Sequence, residues 1–168
     1  MRDTRFIAAH RGGPLKMEQH RQLIKWAADC VRHVLPLFGK KVDGRLENAL
    51  IVAKDWEKGK ASVGDARNAA FGVIALAREL DDQVDIAIAR AAGHAVATAH
   101  MADHAPGAAE YAIKAVALAG KSVDKERKWQ DKRLPDEIRE LVLSTREKNM
   151  SFWEASIRNA RKKQNSQL

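Results

Sequence analysis

The amino-acid sequence predicts an all-α fold, a compact single-domain bundle of about seven helices around a buried, alanine-rich central helix. Three observations predict it. Alanine supplies 29 of the 168 residues, 21 of them between residues 61 and 120, and alanine loses no side-chain entropy in a helix. Apolar residues recur at spacings of three and four along most of the chain, the helical period. No segment alternates apolar and polar residues as a half-buried strand does. A chain of this length is the size of one domain and can bury a real core.

Each element follows from local signals. Residues 1–14 read as an irregular N-terminal segment ending in the breaker cluster Gly12-Gly13-Pro14. Residues 15–160 read as the helical domain. Its first helix is expected from Lys16 to Leu35, with Leu23, Ala27, Cys30, Val31 and Val34 on one stripe and Pro36 and Gly39 as the stop. Asp43 suits the N-cap of a second helix carrying Leu46, Leu50, Ala53 and Trp56 and closing near Gly59. Ser62-Val-Gly-Asp65 reads as a capping box that opens a third helix through Leu80. Asp81-Asp82 is the next turn and cap. A fourth helix is expected from Gln83 to Asp103, small or apolar after Arg90 and therefore central. Pro106 fits the first turn of a fifth helix and Gly120 its C-terminal cap. Ser122 caps a sixth through Lys132. Leu134-Pro135 restarts a seventh carrying Ile138, Leu141 and Val142, and the stretch from Ser151 either continues it or forms one or two more turns through Phe152, Trp153 and Ile157. Residues 161–168 read as a basic, frayed tail.

Several classes are excluded. The longest stretch without Asp, Glu, Lys or Arg is the 12 residues Ala91–Ala102, against about 20 apolar residues for a membrane-spanning helix. Met1–His10 has no apolar run of signal-peptide length. A single Cys30 cannot form an internal disulfide, which fits a bacterial-type cytoplasmic protein. The formal net charge is +8, with +6 in residues 1–60, −3 in 61–120 and +5 in 121–168. Such a balance attracts polyanions nonspecifically, but acids interleave the basic residues at helical spacing, as in Asp124-Lys-Glu-Arg-Lys128, the pattern of a solvated helix face.

Motifs for enzymes are absent. There is no G-x-S-x-G elbow, no phosphate loop and no G-x-G-x-x-G, so no cofactor is expected. Cys30 lies three residues before His33, a spacing that can activate a thiol, but its place on the apolar stripe marks an inert core cysteine. One polar constellation stands out on the expected fourth helix: Arg90, His94, His100, Asp103 and His104. On a continuous helix His100 and His104 share one face, as two imidazoles gripping a metal do, and Asp103 is placed to orient them. His94 then pairs with Arg90. The alternative is interhelical packing, since Gly93, Ala95, Ala97, Ala99 and Ala102 let helices approach closely and polar groups among them would be held by hydrogen bonds. A second feature is acidic. Glu79, Asp81, Asp82 and Asp85 crowd the turn before the fourth helix, either as caps and dipole complements or as a negative patch for a basic partner.

The run Ala91-Ala-Gly-His-Ala-Val-Ala-Thr-Ala-His-Met-Ala-Asp-His-Ala105 and the following Gly107–Val116 resemble a family of bacterial immunity proteins, immunity family five and its relatives. His10–Leu15, Trp26–Cys30, His33–Leu37, Trp129-Gln130 and Leu134-Pro135 carry the same resemblance, over about His10 to Leu143. The chain departs from the family pattern at Pro106 and in its basic tail. The resemblance implies an all-helical, non-catalytic protein of a polymorphic toxin system. Its partner is then a cognate toxin, bound stoichiometrically so that its active site or productive conformation is occluded. No catalytic residue carries over. Trp56, Trp129 and Trp153 are possible interface anchors. Two other readings compete: a basic helical module that binds nucleic acid through residues 121–168, and a metal-dependent helical enzyme using His100 and His104. The sequence sets no oligomeric state.

Overall fold

The computed structural model describes residues 2–168 and contains seven α-helices and no β-strand among them. They are α1 (Met17–Val34), α2 (Gly44–Glu57), α3 (Val63–Glu79), α4 (Gln83–Ala97), α5 (His104–Leu118), α6 (Val123–Lys132) and α7 (Asp136–Ser166). The helix starts obey the expected chemistry. Asp43 accepts from the Arg45 amide at 2.8 Å at the head of α2. At α3, Ser62 Oγ accepts from the Asp65 amide and Asp65 Oδ2 from the Ser62 amide, the reciprocal box. Asp82 Oδ1 takes the Val84 and Asp85 amides of α4, and Ser122 Oγ the Lys125 amide of α6. Gly120 stands at φ +73° just past α5, a left-handed residue where the absence of Cβ removes the steric penalty.

The alanine-rich α4 is the hub, packed against α1, α2, α3, α5 and α7. Ala87, Ala89, Ala91, Ala92 and Ala95 are at most 1% exposed. Their small side chains allow close helix approach, so the core gains density from backbone proximity as well as side-chain bulk. Gly93 marks the limit: a Cβ there would stand 3.0 Å from Val73 Cγ1 of α3. Leu23, Ile24, Leu46, Ile88, Ile113 and Ile138 fill the remaining space with no exposure. Cys30 is likewise fully buried, and burial pushes its thiol well above its ordinary pKa, so it belongs to the core.

Three boundaries differ from the sequence expectation. The fourth helix ends at Ala97, not Asp103. His20 of α1 reaches across and its Nε2 donates to the Thr98 carbonyl at 2.5 Å, removing the acceptor a continuing helix would use four residues later. The Thr98 hydroxyl folds back on the His94 carbonyl at 3.0 Å. Residues 98–103 form a corner, and Pro106 sits in the first turn of α5, where its missing N–H costs nothing. The C-terminal segment is not a frayed tail. α7 runs unbroken for 31 residues to Ser166, and Arg161 and Gln164 donate to the Ala117 and Leu118 carbonyls at the open end of α5. The N-terminal segment is not wholly irregular either. Short 3-10 turns at Thr4–Phe6 and Ala9–Arg11 and a bridge between Ala8 and Leu15 fold it against the domain, burying Phe6 and Leu15.

A buried ionic cluster ties α7 to the rest. Arg146, 7% exposed, donates to Glu110 of α5 at 2.8 Å and to Gln130 of α6 at 2.6 Å, and also pairs with Asp131. Gln130 in turn donates to the Ala109 carbonyl, and its own carbonyl accepts from Trp26 Nε1. Burial raises the Glu110 pKa, opposed by the Arg146 charge beside it.

Candidate functional site

The break after Ala97 redistributes the polar constellation. His104 opens α5, so it no longer lies one helical turn beyond His100. It meets His94 of α4 instead: the two Nδ1 atoms are 2.9 Å apart. Gly107, one turn into α5, makes this possible, since a Cβ there would stand 3.2 Å from His94 Nδ1. A short N···N contact requires one nitrogen to donate and the other to accept, so the two imidazoles cannot both be cations. His94 is pushed down to about 4, first by burial and then by the His104 and Arg90 charges. His104 is lowered as well, mainly by burial.

Around this pair an aromatic chain forms. Tyr111 of α5 stacks on His94 at 5.2 Å between centroids, and Trp153 of α7 meets Tyr111 edge-on at 4.9 Å. Phe152, two-thirds exposed, continues it outward. His94, His104 and Tyr111 form the floor of a hollow of about 300 Å³ walled by Ile74 and Arg78 of α3 and Arg90 of α4. A second hollow of about 250 Å³ adjoins it across Arg90 and Tyr111, between α4, α5 and α7. Sequence reasoning named Arg90, His94 and His104 here. It missed Arg78, Tyr111 and Lys114, and of the α7 wall Lys163 lies beyond the expected helical domain.

His100 and Asp103 belong to another place, the 98–103 corner under the N-terminal segment. Arg2 Nε donates to Asp103 Oδ2 at 2.9 Å, and Arg2 also contacts Met101 Sδ. His100 Nδ1 and His20 Nδ1 are buried without a hydrogen-bond partner beside a small cavity that Trp56 also lines. Burial, followed by Arg67, Arg11 and Arg2, lowers the His100 pKa. Among the described residues no three His, Cys, Asp or Glu side chains come together as a metal-holding group, so His100, Asp103 and His104 do not converge on one ion.

The four acids are also dispersed. Glu79 is taken by Arg45 at 2.7 Å, Asp82 caps α4, Asp85 is buried, accepting from the Gly39 amide at 2.8 Å, and Asp81 stands exposed in the turn. Of the tryptophans, Trp56 is buried beside His20, while Trp129 is half-buried, stacked on His33 at 3.7 Å and covered by Arg133 at 3.8 Å.

The model of the family described as "Imm-5 like putative immunity protein" matches residues 13–137, about three quarters of the chain. The match runs from the end of the N-terminal segment through α6 and stops at the start of α7. No curated protein matches the chain. No solved structure matches it.

Proposed function

This chain belongs to the Imm-5 like immunity protein family, and from that membership we propose that it neutralises a bacterial toxin by binding it stoichiometrically, with no chemistry of its own. The family match carries the reading. The architecture supports it: occlusion of a toxin needs a rigid surface, and here seven helices are locked by a shared core and a buried ionic cluster. The aromatic chain from the half-buried Tyr111 and Trp153 to the exposed Phe152, with Arg78 and Arg90 nearby, has the residue types that anchor protein interfaces. No helix is long and apolar enough to cross a membrane, and the cytoplasm, where a producer must block its own toxin, is the proposed location.

The experiment is co-expression. A toxin domain from the source organism that copurifies in stoichiometric amount is expressed with and without this protein. Growth restored by the protein supports the reading, and unchanged toxicity at matched expression contradicts it. The charge of +8 favours one rival, a nucleic-acid module. That reading requires binding that collapses between about 0.05 and 0.2 M salt through counterion release.

A further inference from the structure

The adjoining hollows over Tyr111 share an unusual charge environment. Arg78 and Arg90 line the first; Arg90, Lys114 and Lys163 line the second. No Asp or Glu lines either one. Among the described residues none of these four cations takes part in a salt bridge, although ten such pairs form elsewhere. Residues 61–120 hold only four basic side chains, and three of them gather here.

Lys114 is the informative member. It sits in mid-helix on α5, away from the helix end where a cation would complement the dipole. It is half-buried, and its ammonium donates to Ser156 Oγ of α7 at 2.9 Å and lies 5.7 Å from the Tyr111 ring centroid. Burial, Arg90 and Lys163 all act to lower its pKa. A half-buried cation among like charges, held only by the Ser156 hydroxyl and the face of the Tyr111 ring, has no acid beside it. Buried charges are held by opposite charges, and the opposite charge is missing from this chain.

We propose that this trough between α3, α4, α5 and α7 is the toxin-docking surface, and that it receives an acidic segment of the toxin whose carboxylates pair with Arg90 and Lys114. The proposal rests on the toxin-neutralising reading and specifies the partner's chemistry. Charge complementarity supports an acidic occupant at two scales: the local trough has cations without acids, and the whole chain carries +8, which steers an acidic surface inward. The shape favours a peptide over a nucleic-acid strand. The cations converge on two small hollows with a neutral floor of His94, His104 and Tyr111, whereas a strand needs a groove that tracks its backbone. The far wall belongs to α7, almost all of which lies beyond the residues that the family model matches. The sequence left the acidic turn at Glu79–Asp85 either as caps or as a patch for a basic partner; Glu79, Asp82 and Asp85 are engaged within the fold.

The test uses the full chain, a capped hexaglutamate peptide, and a thymidine heptanucleotide of the same formal charge. Binding is followed by amide chemical shifts, and stability by thermal melting. The wild type should bind hexaglutamate at one saturable site, with shifts centred on Tyr111 and Lys114, and more tightly than the oligonucleotide. Lys114→Met should weaken it about tenfold or more while the melting temperature holds or rises, because an isosteric apolar chain removes a desolvated charge. Arg90→Gln, at an exposed position, should weaken binding in the same direction and fold normally. Peptide binding that is absent, or unchanged in both variants, overturns the proposal. So does preference for the oligonucleotide, or a lower melting temperature for Lys114→Met with no loss of binding. If hexaglutamate binds as expected but co-expression gives no protection, the trough stands and the toxin reading falls. If protection survives Lys114→Met and Arg90→Gln together, the toxin reading stands and the trough is not the docking surface.

Discussion

His94 of α4 and His104 of α5 face each other through their Nδ1 atoms at 2.9 Å, across a gap kept open by Gly107. The contact joins α4 to α5, and it needs at least one ring neutral, because the accepting Nδ1 carries no proton. The burial that lowers both pKa values fixes the sign of a pH effect. His94 titrates near 4 in the fold against an ordinary 6.5, so the unfolded chain binds the extra proton first as pH falls. The stability is complete above about pH 6.5 and is lost progressively toward pH 4, on the order of 3 kcal/mol for this group. His20 and His104 shift in the same direction, so the comparison with a variant is the readout. Melting temperatures from pH 7 to 4 should fall less steeply for His94→Gln than for the wild type. Equal slopes would refute the account of the pair.

Helix spacing at the hub is set by Gly93. Gly93→Ala places a methyl 3.0 Å from Val73 Cγ1, and overpacking of this kind costs about 1–3 kcal/mol, offset in part by the roughly 1 kcal/mol gain in helix propensity. The variant should be less stable by about 1 kcal/mol in urea unfolding. In a Val73→Ala background the same change should be neutral or stabilising, because the obstructing methyl is gone.

Arg146 holds α7 to α5 and α6. Arg146→Met leaves Glu110 buried without its counter-charge and should cost about 3–5 kcal/mol. Adding Glu110→Leu removes the stranded carboxylate and should recover about half of that loss or more. A double variant as unstable as the single one would mean that packing around Gln130, and not charge, dominates the cluster.

Asp103 offers a contrast. Its partner Arg2 is 55% exposed, and exposed ion pairs contribute about 0–1 kcal/mol. Asp103→Asn should therefore shift stability by less than about 1 kcal/mol, with the N-terminal segment still seated through Phe6 and Leu15.

Much of this fold is legible in the sequence because helix caps are local. Asp43, Ser62 with Asp65, Asp82 and Ser122 announce their helices, and each makes the predicted bond. The end of α4 is not local. It depends on His20, 78 residues upstream, taking the Thr98 carbonyl, and no periodicity in Ala91–Asp103 reports that. Losing those six residues from the helix separated His100 from His104 and brought His104 to His94, so Arg90, His94 and His104 were foreseen, while their pairing and the places of Arg78, Tyr111 and Lys114 were not. The turns of α7 past residue 160 escaped for a similar reason. Its last turns are polar and have weak periodicity, and they are held by bonds to the end of α5. Lys114 belongs to no motif, and its place in the trough depends on α7 lying against α5, through Ser156.

The central claim is stoichiometric neutralisation, and the most direct measurement titrates the activity of the copurifying toxin domain with this protein at a toxin concentration well above the dissociation constant. The account predicts a linear loss of activity that ends at one equivalent, with no turnover of the toxin and no dependence on added metal. Full toxin activity in a molar excess of the protein would contradict it.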